Sequence, residues 1–196
     1  MSASAVQICN MGLLKFGDVT ITALTDDNRE ARACSVLYPL LRDQLLASHP
    51  WNFAMARADI SPQRTDDPDF GYDFAYTIPA DCLRVWELFG DSEWEVEGDK
   101  LLTNQEEEIF VRYIKQQTET GRFSPAFVNC LATLMGAELA AKIKGDKKHR
   151  LALLEELYKI ELPKAYHLNA IEGKRTLGKD EQPLDSGNFT WQTEGR

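Results

Sequence analysis

The sequence predicts a mainly α fold. It reads as a four-helix bundle assembled from both ends of the chain, with a small antiparallel β-sheet inserted between helices two and three and an extended C-terminal arm. Three observations carry this reading. Apolar residues recur at three- and four-residue spacing near both ends, the period drops to two in the middle, and periodicity is lost after residue 172. The bundle is accordingly assigned to 1–50 and 123–172, the β insertion to 51–122 and the arm to 173–196.

The first helix is expected over 2–16, where Val6, Ile8, Leu13 and Leu14 are apolar and Gly17-Asp18 ends the run. The second is expected over 28–48, capped by Asp26 or Asp27, with a core stripe of Ala33, Val36, Leu37, Leu40, Leu41 and Leu45. Pro39 falls inside that stripe without shifting its phase, so it should kink the helix near 35–39 and not break it. His49-Pro50-Trp51-Asn52-Phe53-Ala54 follows. Pro50 disfavours helical geometry at His49, and Trp51 and Phe53 stand two apart, as on one face of an extended segment packed against the bundle. This stretch reads as the joint between bundle and sheet, and His49 as a boundary residue.

Alternation is clearest over 72–78, where Tyr72, Phe74, Tyr76 and Ile78 are separated by smaller or polar residues. Residues 83–89, 93–103 with a Gly98-Asp99 turn, and 108–114 complete a sheet joined by hairpins. Ser124 then caps a third helix with Pro125 in its first turn. It runs to residue 144, apolar nearly all round, with Ala132, Gly136, Ala137, Ala140 and Ala141 allowing close helix approach. Gly145-Asp146 turns the chain into a fourth helix with a stripe of Leu151, Leu154, Leu157, Tyr158 and Leu162, kinked by Pro163 and reaching about residue 172.

Composition bounds the function. The chain has 196 residues, long enough to bury a core without staples, and its four separated cysteines lack metal or disulfide spacing, so they are expected to be buried free thiols. No secretory signal is read at the start, no continuous apolar run of bilayer-spanning length is seen, and no membrane partner is expected. A formal charge of −9 has the wrong sign for binding that neutralises phosphates.

No phosphate-binding glycine loop, nucleophile elbow or metalloprotease motif is present, so neither a cofactor nor catalysis is expected. Asp66 to Asp69 lacks the glycine and distal glutamate of a calcium loop. Glu93, Glu95 and Glu97 share one strand face, with Trp94 and Val96 facing inward. They read as a solvated face, with a cation site or an acid pair for hydrolysis as the alternatives. Lys142, Lys144, Lys147, Lys148, His149 and Arg150 form the concentrated basic patch. It is either a solvated helix hairpin or a dock for an acidic partner or passing DNA. Phe189 and Trp191 in the polar arm are typical interface anchors. The interaction candidates are Phe189, Trp191, Lys147, Lys148 and Arg150.

The ordered strings CSVLYPLLRDQLLASHPWNFA, YTIPADCLRV, WEVEGDKLLTN, VRYI and FSPAFVNCLATLMGAELAAKI resemble the head-to-tail adaptor proteins of short-tailed bacteriophages, the tail tubular protein A type, over about residues 5–172. The resemblance implies an α bundle with a β insertion and a homo-oligomeric ring of about twelve copies. Its partners would be the portal protein, the tail nozzle protein and neighbouring copies, with genomic DNA crossing the lumen unbound. It implies a virion tail protein, assembled in the host cytoplasm and active in DNA ejection, whose arm reaches the portal or a neighbour. Acidic charge would then repel passing DNA. The competing readings are a tail-associated glycan hydrolase using Glu93, Glu95 or Asp99, and a monomeric chaperone or regulatory protein.

Overall fold

A computed structural model describes residues 3–90 and 92–172. Helix α1 is Ala5–Lys15, opened by a capping box in which the Gln7 N–H donates to Ser4 Oγ and the Ser4 N–H donates to Gln7 Oε1. Helix α2 is Arg29–Ala47 and runs unbroken through Pro39. Its cap is Asn28, whose Oδ1 accepts from the Ala31 N–H at 2.7 Å, and not Asp26 or Asp27. Asp26 instead closes the preceding loop by accepting from the N–H groups of Thr22 and Ala23, and these bonds hold its carboxyl below the usual carboxylate range.

Helix α3 is Pro125–Leu139 and continues as a π-helical segment, Ala140–Lys144, to the left-handed Gly145. Helix α4 is Lys147–Glu156, followed by a second π segment, Leu157–Glu161, and by α5, Leu162–Ile171. Pro163 has no N–H for the preceding turn and its ring crowds the carbonyl four residues back. The wider π turn just before it relieves that conflict while the rod stays continuous.

The helices do not form a four-helix bundle. In a bundle each helix packs on two neighbours around a shared axis, whereas here α1, α2 and the α4–α5 rod all pack on α3 and α1 touches α2 only lightly. Small residues make the central position possible. A Cβ on Gly136 would lie 2.9 Å from the Gly12 carbonyl oxygen, so α1 and α3 meet backbone to backbone. Helix α3 and its π extension are long and apolar enough to cross a bilayer by length and composition, unlike the expectation from continuous apolar runs. Even so, 72% of the most apolar window is buried inside the protein.

Six strands occupy the middle of the chain: β1 Met55–Asp59, β2 Phe74–Thr77, β3 Cys82–Leu88, β4 Trp94–Glu97, β5 Lys100–Thr103 and β6 Phe110–Lys115. They form two antiparallel sheets, ordered β1-β6-β3 and β2-β5-β4, where one sheet joined by hairpins was expected. Only β4 and β5 are joined by the expected tight turn, with Gly98 at φ +60°. Strand β1 escapes a periodicity reading because Met-Ala-Arg-Ala-Asp carries no strong apolar alternation, and its partner β6 lies more than fifty residues away.

With half the chain helical and 18% in two sheets, the fold is a mix of α and β, and the mainly α assignment is overturned. The sheets have their own core of Ile60, Tyr76, Val85, Leu88, Leu101, Ile109, Val111 and Tyr113, separate from the helical core around α3. Strand β6 serves both, with Val111 and Tyr113 in the sheet core and Ile114 in the helical one.

Candidate functional site

The His49–Ala54 segment is a structural joint. Trp51 is fully buried, its Nε1 donates to the Leu45 carbonyl at 3.0 Å, and its ring meets Phe127 edge-on at 5.1 Å. The segment is not extended as expected, because Asn52–Ala54 make one 3-10 turn, yet Trp51 and Phe53 still pack 6.1 Å apart. Asn169 of α5 clamps the joint: its Oδ1 accepts from the Asn52 N–H at 2.8 Å and its Nδ2 donates to the Pro50 carbonyl at 3.2 Å. His49 stacks on Tyr166 at 4.0 Å, and burial holds its imidazole below the ordinary histidine value.

Next to the helical core, α2 presents a second apolar face outward. Its buried residues are Ala31, Cys34, Tyr38, Leu41, Arg42, Leu45 and Leu46, whereas Val36 and Leu40, expected in the core stripe, are each 62% exposed. The inward face instead takes Arg42, which forms a two-point ion pair with Asp43, and Asp43 in turn accepts from Gln116 at 2.7 Å. Tyr38 is buried beside it, and burial pushes its hydroxyl up to about 12. The expected stripe of the fourth helix shifts similarly: Leu153, Leu157, Leu162 and Ala165 are buried, while Leu151 and Tyr158 are exposed. Leu157 and Leu162 are buried as expected, and the departures at Leu151 and Leu153 precede the π segment, so they reflect which face of α4 meets α3.

The outward face of α2 and the end of α3 enclose an open groove of about 770 Å3, floored by Ala33, Val36, Leu37, Ala141 and Ile143 and rimmed by Arg29, Arg32, Lys142 and Glu138. Arg29 holds the two elements together by donating to the carbonyls of Lys142 and Ile143 at the end of the π segment. Glu138 is held by Arg150 at 2.7 Å.

The basic patch divides into structural and exposed members. Lys144 donates to the Phe16 and Gly17 carbonyls at 2.9 and 3.0 Å, closing the end of α1, and His149 Nε2 lies 3.1 Å from the Lys15 carbonyl. Arg150 is engaged with Glu138. Lys147 and Lys148 are exposed, and among the described residues no ion pair engages them. They occupy the first turn of α4, where the helix dipole opposes positive charge, at a cost of about 0.3–1 kcal/mol each. Phe189 and Trp191 lie outside the described residues.

Two further surfaces lie on the sheets. Phe89 and Phe110, 6.4 Å apart and 70% and 41% exposed, flank an open groove of about 650 Å3 with Arg57, Asp59, Glu87 and Arg112. A smaller groove of about 430 Å3 is lined by Asp66, Asp67, Asp69, Glu95 and Glu97, with Phe70 at its margin 87% exposed. Glu93, Glu95, Glu97 and Asp99 are all exposed. Trp94 is half-buried and packs on the sheet core as expected, whereas Val96, on the same edge strand, is 40% exposed.

The thiols of Cys9 and Cys34 meet in the core, and the contact with Cys34 together with burial pushes Cys9 up; Cys130, pushed to about 12 by burial, is equally inert as a nucleophile. Among the described residues no group of three His, Cys, Asp or Glu side chains is placed to hold a metal ion. The described residues thus form two grooves with apolar walls and charged rims and a third lined by carboxylates. No protein-family model and no curated protein matches this chain.

Proposed function

We propose that this chain is a structural assembly protein without turnover, a head-to-tail adaptor of a short-tailed bacteriophage. About twelve copies form a ring between portal and tail nozzle, and genomic DNA crosses the lumen without specific binding. The observation that carries the reading is the pair of separate apolar surfaces, Val36 and Leu40 on α2 and Phe89 with Phe110 on the β1-β6-β3 sheet. A subunit that touches neighbours on two sides, and portal or nozzle besides, needs several such surfaces on one small body. The sequence resemblance over about residues 5–172 points the same way. Lys147, Lys148 and the arm residues Phe189 and Trp191 are the candidates for partner contact.

The hydrolase alternative draws less support, because Glu93, Glu95 and Asp99 are solvent-exposed on an edge strand and its turn. Of the three only Glu95 lines the open acidic groove, where every carboxylate is exposed and none has the burial that sets a general acid apart. Native mass measurement of the purified chain, alone and mixed with portal protein, tests the proposal. The expected result is a ring under at least one of these conditions, and a chain that stays monomeric in both refutes it.

A further inference from the structure

The groove on α2 and the acidic loop beside β2 are complementary in charge, and each has an apolar centre. The groove has an apolar floor, and its rim carries Arg29, Arg32 and Lys142 against one lining carboxylate, Glu138, which Arg150 holds. Arg29 is engaged with carbonyls and Arg32 shares an exposed pair with Asp27 at 2.6 Å, so Lys142 is the rim cation with no ion pair or side-chain hydrogen bond among the described residues. The loop is the inverse. Phe70 stands 87% exposed at its tip, and Asp66, Asp67, Asp69 and Asp73 surround it within the run Asp-Asp-Pro-Asp-Phe-Gly-Tyr-Asp. Proline and the left-handed Gly71, at φ +90°, fix the turn that presents the ring. Aromatic side chains held in this way, apolar at the centre and charged around it, are the typical anchors of protein interfaces.

We propose that the loop of one copy, led by Phe70, inserts into the α2 groove of the next copy. Phe70 covers Val36 and Leu37 while the aspartates meet Arg32 and Lys142. The groove's volume is several times that of a phenyl ring, so the loop enters with its backbone and not by the ring alone. The residues lining the loop's groove and those lining the α2 groove have no member in common, so one copy presents both halves of the contact at once. Such a contact is head-to-tail and builds a ring where the rotation closes, or a filament where it does not. Of the loop's aspartates, Asp67 is paired with Arg64, whereas Asp66, Asp69 and Asp73 enter no ion pair among the described residues; Asp69, next to Phe70 in sequence, is the one tested against a cation on the neighbour. The inference rests on the ring reading above and names the surface by which that ring would close.

The test is disulfide trapping in the full chain. Three of the native cysteines are buried and Cys82 is half-buried, so background cross-linking is low. Val36→Cys combined with Phe70→Cys should give, on mild oxidation, a ladder of covalent oligomers, and each single variant should give none beyond a dimer. Adding Arg32→Glu should reduce the ladder about tenfold or more, and adding Asp69→Lys to that variant should restore it. Melting followed by circular dichroism checks that each variant is folded. A double variant that stays monomeric or stops at dimers, while native mass shows rings, overturns this contact and leaves the ring reading standing. A ladder formed by Val36→Cys with Trp191→Cys in place of Phe70→Cys assigns the groove to the C-terminal segment and also overturns it. A chain monomeric by native mass, alone and with portal, removes both.

Discussion

Two neighbouring residues, His49 and Trp51, show how a crowded, chemical-looking stretch can be purely architectural. Trp51 combines full burial, an indole hydrogen bond and contacts to Phe127, Phe53 and Tyr166. Trp51→Ala therefore removes a large core volume and leaves the Leu45 carbonyl without this donor, and should destabilise by about 3–5 kcal/mol in urea unfolding. His49 makes stability depend on pH. Its folded-state value is depressed below 6.5 by burial, so the unfolded chain takes up a proton that the folded chain resists. The stabilisation is whole above that pH and is lost as pH falls through the folded value. The urea midpoint should drop between pH 7 and 5, and His49→Gln should flatten that drop; equal slopes in both proteins would contradict the assignment. The identity of this joint was legible from Pro50 and the two aromatics. Its clamp, Asn169, was not, because a partner over a hundred residues away leaves no local trace.

At the scale of elements, helices were placed within a few residues, since 3.6-periodicity and caps are local signals. Which face of each helix points inward was read less well. Helix α2 carries apolar residues over a wide arc, and only the tertiary fold decides that Cys34, Tyr38 and Arg42 go inside while Val36 and Leu40 stay out. A helix with more apolar surface than its core uses keeps a face on which the proposed neighbour contact can be built. The strands show the opposite limit, as the alternation over 72–78 marked β2 but nothing local could pair β1 with β6 or divide six strands into two sheets. Helix α4 makes its own prediction. Lys147 and Lys148 sit where the dipole favours acids, so Lys147→Glu and Lys148→Glu should each raise stability by about 0.3–1 kcal/mol in thermal or urea unfolding. If these lysines serve a partner, the same variants should weaken assembly by native mass, and the two readouts moving in opposite directions separates a functional charge from a neutral one.

Over the whole molecule, the charge and the absence of catalytic motifs narrowed the function class, and the resemblance narrowed it to an adaptor, but the surfaces that would carry assembly emerged only in three dimensions. The loop from Asp66 to Asp73 read simply as a loop, and the meaning of its exposed Phe70 depends on a groove built from α2 and α3 elsewhere in the chain. The arrangement around β6 carries a mechanical consequence. This six-residue strand lies between β1 and β3 and gives side chains to both cores, so a load applied to the sheets passes along its backbone into the helices. In a ring of the kind proposed above, such a strand would work as a tie-rod. Strain on the β1-β6-β3 sheet is shared with the helical core through this strand, helped by Met55 of β1 and Leu83 of β3, which also pack on that core.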